Sequence, residues 1–211
     1  MSLLQLVFPT FCSECKILIN KDEVFCANCL QKIKPVVSKF FPINSKYKLK
    51  VFAVCRYENP LKNLILKKSF SQSWASVKLA QLILNRFDLN SFEIDYFIPV
   101  PLHWTRFAKR GFNQAEVLAK TLGKNLNKPV LNLLKRKKRT PFQSSLPIAM
   151  RAENVKDAFY IRQIMDLEFL KDKNIFLIDD LCTTGATLQN AAKILVKYNP
   201  QSINAIVACR F

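Results

Sequence analysis

The chain has 211 residues, half of them apolar and 23% charged, which is enough for one buried core plus a small accessory module and excludes a disordered chain. Its 33 Lys and Arg outweigh 15 Asp and Glu by a formal charge of +18, an excess that favours nucleic acid or phosphate ligands over an anionic membrane, although a lysine-rich composition alone decorates a surface in the same way. No run approaches the roughly 18 apolar residues that cross a bilayer, and Met1–Val7 lacks the basic start of an export signal, so the expected location is the cytoplasm.

The first chemistry in the chain is a pair of cysteine pairs, Cys12-x-x-Cys15 and Cys26-x-x-Cys29, with ten residues between them. In a reducing compartment such pairs are better metal ligands than disulfides. The spacing matches a structural Zn2+ site of knuckle or treble-clef type, in which four thiolates close a tetrahedron and leave no open position. Metal binding would supply about 10–16 kcal/mol toward folding a module too small to stand alone. Metal-free thiols, or two disulfides, are the competing readings. Cys55, Cys182 and Cys209 stand apart and read as small hydrophobes. Pro35 to Lys50 is mixed in character and reads as a linker, which divides the chain near Ser45 into a cysteine module with linker, residues 1–45, and a main domain, residues 46–211.

Val51–Tyr57 then reads as a strand. Leu61, Leu64 and Ile65 recur at helical spacing, as do Trp74, Val77, Leu79, Leu82 and Ile83. Tyr96–Pro101 is a short apolar strand stopped by prolines, and Ala115, Leu118, Ala119 and Leu122 mark an amphipathic helix. The segment Lys135–Asn154 combines a basic run, two prolines and adjacent serines, and reads as a long polar loop. Asn174–Ile178 is a buried strand, Leu188–Tyr198 a helix and Ile203–Ala208 a last strand. Strands separated by helices predict an α/β fold, a parallel sheet with helices on both faces.

The strand at Ile175–Ile178 runs directly into Asp179, Asp180, Leu181, Cys182, Thr183, Thr184, Gly185, Ala186 and Thr187. Ligands of parallel sheets bind at the carboxyl ends of strands, where these two acids emerge. Adjacent carboxylates accept hydrogen bonds from a cis-diol such as that of ribose, directly or through Mg2+. Gly185 permits close backbone approach, and hydroxyls with the amides of the next helix can surround a phosphate. Ordinary helix capping needs one such residue, not this whole series. The run resembles the signature of type I phosphoribosyltransferases, two acids followed by Thr-Thr-Gly-x-Thr.

A second cluster lies after the strand at Pro99-Val100-Pro101-Leu102-His103: Arg106, Lys109, Arg110, Gly111, Phe112, Asn113 and Gln114. Basic groups and a glycine in a strand-to-helix loop suit a diphosphate, and a merely solvated basic loop is the plainer alternative. Lone His103 is more often structural than catalytic. The intact Arg-Gly-Phe-Asn-Gln at Arg110–Gln114, with Tyr57, Leu64–Lys67, Gln143, Arg151, Asn154-Val155, Ala158-Phe159 and the cysteine pairs, narrows the resemblance to the ComF family of competence proteins, and within it to ComFC-like members. That resemblance spans almost the whole chain. It implies a type I phosphoribosyltransferase-like sheet and a role in natural transformation after DNA has entered the cell. It also implies a 5-phosphoribosyl-1-diphosphate site, with Mg2+, at Asp179, Asp180, Thr183, Thr184, Gly185, Ala186 and Thr187. The same resemblance implies that the loop Val100, Pro101, Leu102 faces the diphosphate, with Arg110 as a further ligand-binding candidate, and that any catalysis falls to Asp179 and Asp180.

No acceptor-reading motif is visible, so composition leaves several functions open. The basic run Lys135, Arg136, Lys137, Lys138 and Arg139 suits a loop closing over diphosphate or a track for a nucleic-acid backbone. Phe8, Phe11 and Phe25 beside the cysteines can stack on single-stranded bases or pack in a core. The expected function is the handling of incoming single-stranded DNA with bound sugar diphosphate as ligand or regulator. The alternatives are an active transferase with an unidentified acceptor and an adaptor docking a helicase or recombination protein.

Overall fold

The computed structural model describes residues 9–67, 73–102, 104–136, 159–161 and 166–211. The described residues begin with a hairpin of β1 (Thr10–Phe11) and β2 (Leu18–Ile19), followed by the helix α1 (Ala27–Gln31) and the strands β3 (Lys39–Pro42) and β4 (Lys48–Arg56). Helices α2 (Leu61–Lys67) and α3 (Ser73–Arg86) lead to β5 (Tyr96–Pro99), α4 (Trp104–Arg110) and α5 (Gln114–Leu126). Two short strands, β6 (Leu134–Arg136) and β7 (Phe159–Ile161), pair with each other; β8 (Asn174–Cys182), α6 (Ala186–Leu195) and β9 (Ser202–Arg210) complete the fold.

The main sheet has the order β3-β4-β9-β8-β5, with every pairing parallel except that of edge strand β3. The runs Val51–Cys55, Ala205–Cys209 and Ile175–Ile178 in its central strands are apolar without interruption because both faces are covered. Ile175 and Leu177 join the core on one face, and Phe176 and Ile178, one residue out of phase, join the core on the other. Helices α3 and α5 pack together over the Phe176 face. Helix α6 lies over the opposite face with Ala186, Leu188, Ala191, Ala192 and Leu195 turned inward. The expected parallel α/β architecture is present, extended by the antiparallel β3.

Three segments differ from the reading of the sequence. Lys39–Pro42, taken as linker, is a strand, because Phe41 and Leu49 pair across β3–β4 and bury their side chains in the main core. Strand β8 runs four residues beyond Ile178, through both acids to Cys182, since β9 continues to offer partners as far as Arg210. The start of the long polar loop is also ordered: Leu134 and Phe159 are buried, and their hydrophobic contacts hold β6 against β7. Residues 137–158, including Gln143, Arg151, Asn154, Val155 and Ala158, lie outside the described residues, as does His103.

The cysteine module is docked on the main core. Cys12, Val24, Phe25, Cys26, Cys29 and Ile33 share one hydrophobic cluster with Leu61, Leu64 and Leu79. Polar contacts fasten the same face: Asn63 Nδ2 donates to the Glu14 carboxylate at 3.1–3.2 Å, Lys78 Nζ to the Glu23 carbonyl at 3.2 Å, and Asn85 Nδ2 to the Asp22 carbonyl at 3.1 Å. Among the described residues, no helix is long and apolar enough to cross a membrane.

Candidate functional site

Two chemical centres emerge, one in the cysteine module and one at the carboxyl edge of the sheet. In the first, β1 and β2 present Cys12 and Cys15 from their connecting turn. The turn is closed by the Cys12 N–H donating to the Ile17 carbonyl at 2.8 Å and by Lys16 at φ 66°. Cys26 stands at the N-cap of α1 and Cys29 in its first turn, so the second pair comes from a helix start. The four sulfur atoms lie within 4.8 Å of one another.

This donor set fits a soft, tetrahedral cation such as zinc. Burial opposes ionisation of Cys12, but N–H donation from Cys26, Glu14 and Cys15 prevails and brings it down to about 6. Cys29 is pushed up to about 12, first by burial and then by hydrogen bonds with, and charge on, its cysteine neighbours. Four thiolates held this close would repel one another, and a bound cation would cancel that repulsion. Of the nearby phenylalanines, Phe25 is 3% exposed and belongs to the core, which removes it as a base-stacking group; Phe11 is 51% exposed, and Phe8 lies outside the described residues.

At the sheet, the parallel β5–β8 pairing sets Pro99 beside Ile178, and the Val100 N–H continues the ladder to the Ile178 carbonyl at 2.9 Å. The loop Val100-Pro101-Leu102 thus sits next to Asp179 and Asp180, as two separated sequence motifs meet at one edge. Asn113 ties them down: its Nδ2 donates to the Val100 carbonyl at 3.1 Å, while its Oδ1 accepts from Ala115 N–H at 3.2 Å and caps α5. Gly111, at φ 79°, ends α4 before that cap. The Arg-Gly-Phe-Asn-Gln run therefore works partly as a brace for the loop. Arg110 is partly buried, and desolvation draws its guanidinium pKa below the ordinary value.

Beyond β8 the backbone bends at Thr183, Thr184 and Gly185 and enters α6 at Ala186. The Asp179 Oδ1 accepts from Asp180 N–H at 2.8 Å, and Thr184 Oγ1 accepts from Ala186 N–H at 3.4 Å. Asp179, Asp180, Thr183, Thr184 and Thr187 are partly exposed, whereas Gly185 and Ala186 are buried. Gly185 has φ 82°, and a Cβ there would lie 2.4 Å from the ring of Phe41 on β3. Gly185→Ala is therefore expected to destabilise the fold by at least about 1–2 kcal/mol from the left-handed backbone alone, with a further steric cost. In urea denaturation Phe41→Leu should relieve the steric part but not the backbone part.

Two cations at this edge escaped sequence reasoning. Arg210, on β9, is the ladder partner of Cys182, and Lys39, on β3, holds its ammonium 5.2 Å from the Phe41 ring centre. Their charges reach the loop: burial pushes the Cys182 thiol up to about 11 with help from Asp179, while Arg210 and Lys39 pull the other way. Cys182 is thus a neutral thiol near pH 7, unsuited to nucleophilic attack. A charged residue ending an otherwise buried strand was the available signal for Arg210; Lys39 carried none. In the basic run, Lys135 is exposed and Arg136 lies 5.4 Å from the Phe159 ring centre, whereas Lys137, Lys138 and Arg139 are outside the described residues.

Residues 107–210 match the model of the phosphoribosyl transferase domain family. With the parallel sheet and the loop after β8, this defines the class: a type I phosphoribosyltransferase-like domain carrying a four-cysteine module able to hold a metal such as zinc. The chain is 32% identical over 203 residues to competence protein F of Haemophilus influenzae, covering 93% of this chain and 82% of the relative. It is 26% identical over 205 residues to competence protein ComFC of Bacillus subtilis (85% and 81% covered), and 26% identical over 208 residues to DNA utilization protein YhgH of Escherichia coli O6:H1 (95% and 84% covered). The chain belongs to the ComF family of competence proteins.

Proposed function

We propose that the chain binds 5-phosphoribosyl-1-diphosphate with Mg2+ at the edge formed by Asp179–Thr187 and Val100–Leu102, and acts in the cytoplasm on single-stranded DNA during transformation. The observation that carries the ligand assignment is the meeting of both motifs at the carboxyl ends of β5 and β8, braced by Asn113. Asp179 and Asp180 supply hard oxygen donors for ribose hydroxyls or for Mg2+, which would neutralise diphosphate charge. The hydroxyls of Thr183, Thr184 and Thr187 and the first-turn amides of α6 suit the 5-phosphate. The names of the relatives, two for competence and one for DNA utilization, support the DNA-handling role. Lys135–Arg139 are its basic track in this reading, and a structural zinc at Cys12, Cys15, Cys26 and Cys29 holds the module.

Titration calorimetry with phosphoribosyl diphosphate and Mg2+ tests the ligand, and the expected result is micromolar binding. Folded protein that gives no heat sinks the assignment. Arg210 belongs to the same site in this reading: Arg210→Gln should weaken binding about tenfold, the worth of one hydrogen bond to a charged group. Unchanged affinity would remove Arg210 from the site. Catalysis would be read as acceptor-dependent release of diphosphate.

A further inference from the structure

The β3–β4 strand pair carries a surface that neither the cysteine module nor the sheet-edge site uses. From Val24 to Cys55 the chain contains no Asp or Glu but six lysines: Lys32, Lys34, Lys39, Lys46, Lys48 and Lys50. The register sets Phe40 opposite Lys50 and Pro42 opposite Lys48. Alternation then places Phe40, Lys48 and Lys50 on one face of the pair, and Phe41, Leu49 and Val51 on the other, which is buried. Phe40 is 59% exposed against 7% for Phe41. The Lys50 ammonium sits 5.5 Å from the Phe40 ring centre and 4.7 Å from that of Phe52. Among the described residues, Lys39, Lys46, Lys48 and Lys50 have no carboxylate partner. Strand β3 is the outer strand of the sheet.

Each feature narrows the occupant. Like charges held together without counterions repel, so the face suits a polyanion. Lys48 and Lys50, two residues apart on one strand face, are about 7 Å apart, a spacing that engages successive charges along a chain. A solvent-exposed ring beside them adds a flat apolar partner, which polyphosphate or an acidic peptide does not require and which a base face satisfies by stacking. A duplex keeps its base faces covered. A single ring offers little apolar area for a membrane, whose interfacial helices bury a whole face.

We infer that the outer face of the β3–β4 pair is a stacking platform for single-stranded DNA, with Phe40 taking a base and Lys48 and Lys50 the flanking phosphates. This rests on the DNA-handling reading for the choice of nucleic acid, and it puts the principal contact on the strand pair instead of on Lys135–Arg139. Fluorescence anisotropy of a labelled oligo-dT over a range of salt concentrations tests it with the zinc-loaded full chain. Phe40→Ala should weaken binding about tenfold. Lys48→Gln with Lys50→Gln should lower the slope of log K against log salt by about 1.4. Phe40 and Lys48 are exposed and Lys50 is partly buried, and unchanged thermal melting establishes that the variants fold.

If these variants bind as wild type does while Lys135→Gln with Arg136→Gln loses affinity, the platform is wrong and the DNA reading survives. If only the lysine variant weakens, stacking is overturned. Wild type that ignores oligo-dT at low salt, yet still takes up phosphoribosyl diphosphate, removes the DNA reading and the platform together. Tighter binding to duplex of equal length, or to anionic phosphatidylserine vesicles, also overturns the inference.

Discussion

Asp179→Ala combined with Asp180→Ala is expected to abolish binding of phosphoribosyl diphosphate with Mg2+ while the protein stays folded. Each carboxylate offers charge-assisted hydrogen bonds to ribose hydroxyls or a bond to the metal, and hydrogen bonds to charged groups contribute about 1.5–3 kcal/mol each. Loss of both corresponds to roughly a hundredfold or greater weakening, which takes a micromolar ligand out of range of calorimetry. Both side chains are partly exposed, so neither substitution opens a cavity in the core, and thermal melting of the double variant checks that it stays folded. Two adjacent negative charges are relieved at the same time. Equal affinity in the double variant would place the ligand elsewhere, whatever the resemblance of the loop.

Metal removal is expected to have the larger structural effect. Cys26→Ser with Cys29→Ser should reduce bound zinc, measured by atomic emission, from about one equivalent to none. The free energy of zinc binding in small modules, about 10–16 kcal/mol, is comparable to the whole stability of an ordinary domain, about 5–15 kcal/mol. The module should therefore lose its structure, and the effect should spread. Val24, Phe25 and Ile33 share their core with Leu61, Leu64 and Leu79, so their release exposes apolar surface on α2 and α3. Hydrogen exchange should show the amides of residues 10–33 unprotected and those of α2 partly so, with the sheet intact. Full protection without metal would mean that packing alone holds the four sulfur atoms together.

Much of this protein is legible in one dimension because its chemistry is local. The Cys-x-x-Cys pairs, the acid–threonine–glycine run and the Arg-Gly-Phe-Asn-Gln segment each complete a turn or helix start within a few residues, so spacing alone identifies them. Strand and helix alternation follows from periodicity, and together these features reach the fold class and the ComF family. What tertiary structure decided is how distant segments meet. Phe41 closes on Gly185 across 144 residues of sequence, Arg210 pairs beside Cys182, and Asn63 reaches back to Glu14. These contacts follow from sheet register and from the docking of the cysteine module on α2 and α3. Both are set by the burial of side chains far apart in the chain, a cooperative quantity that no local pattern of residues contains.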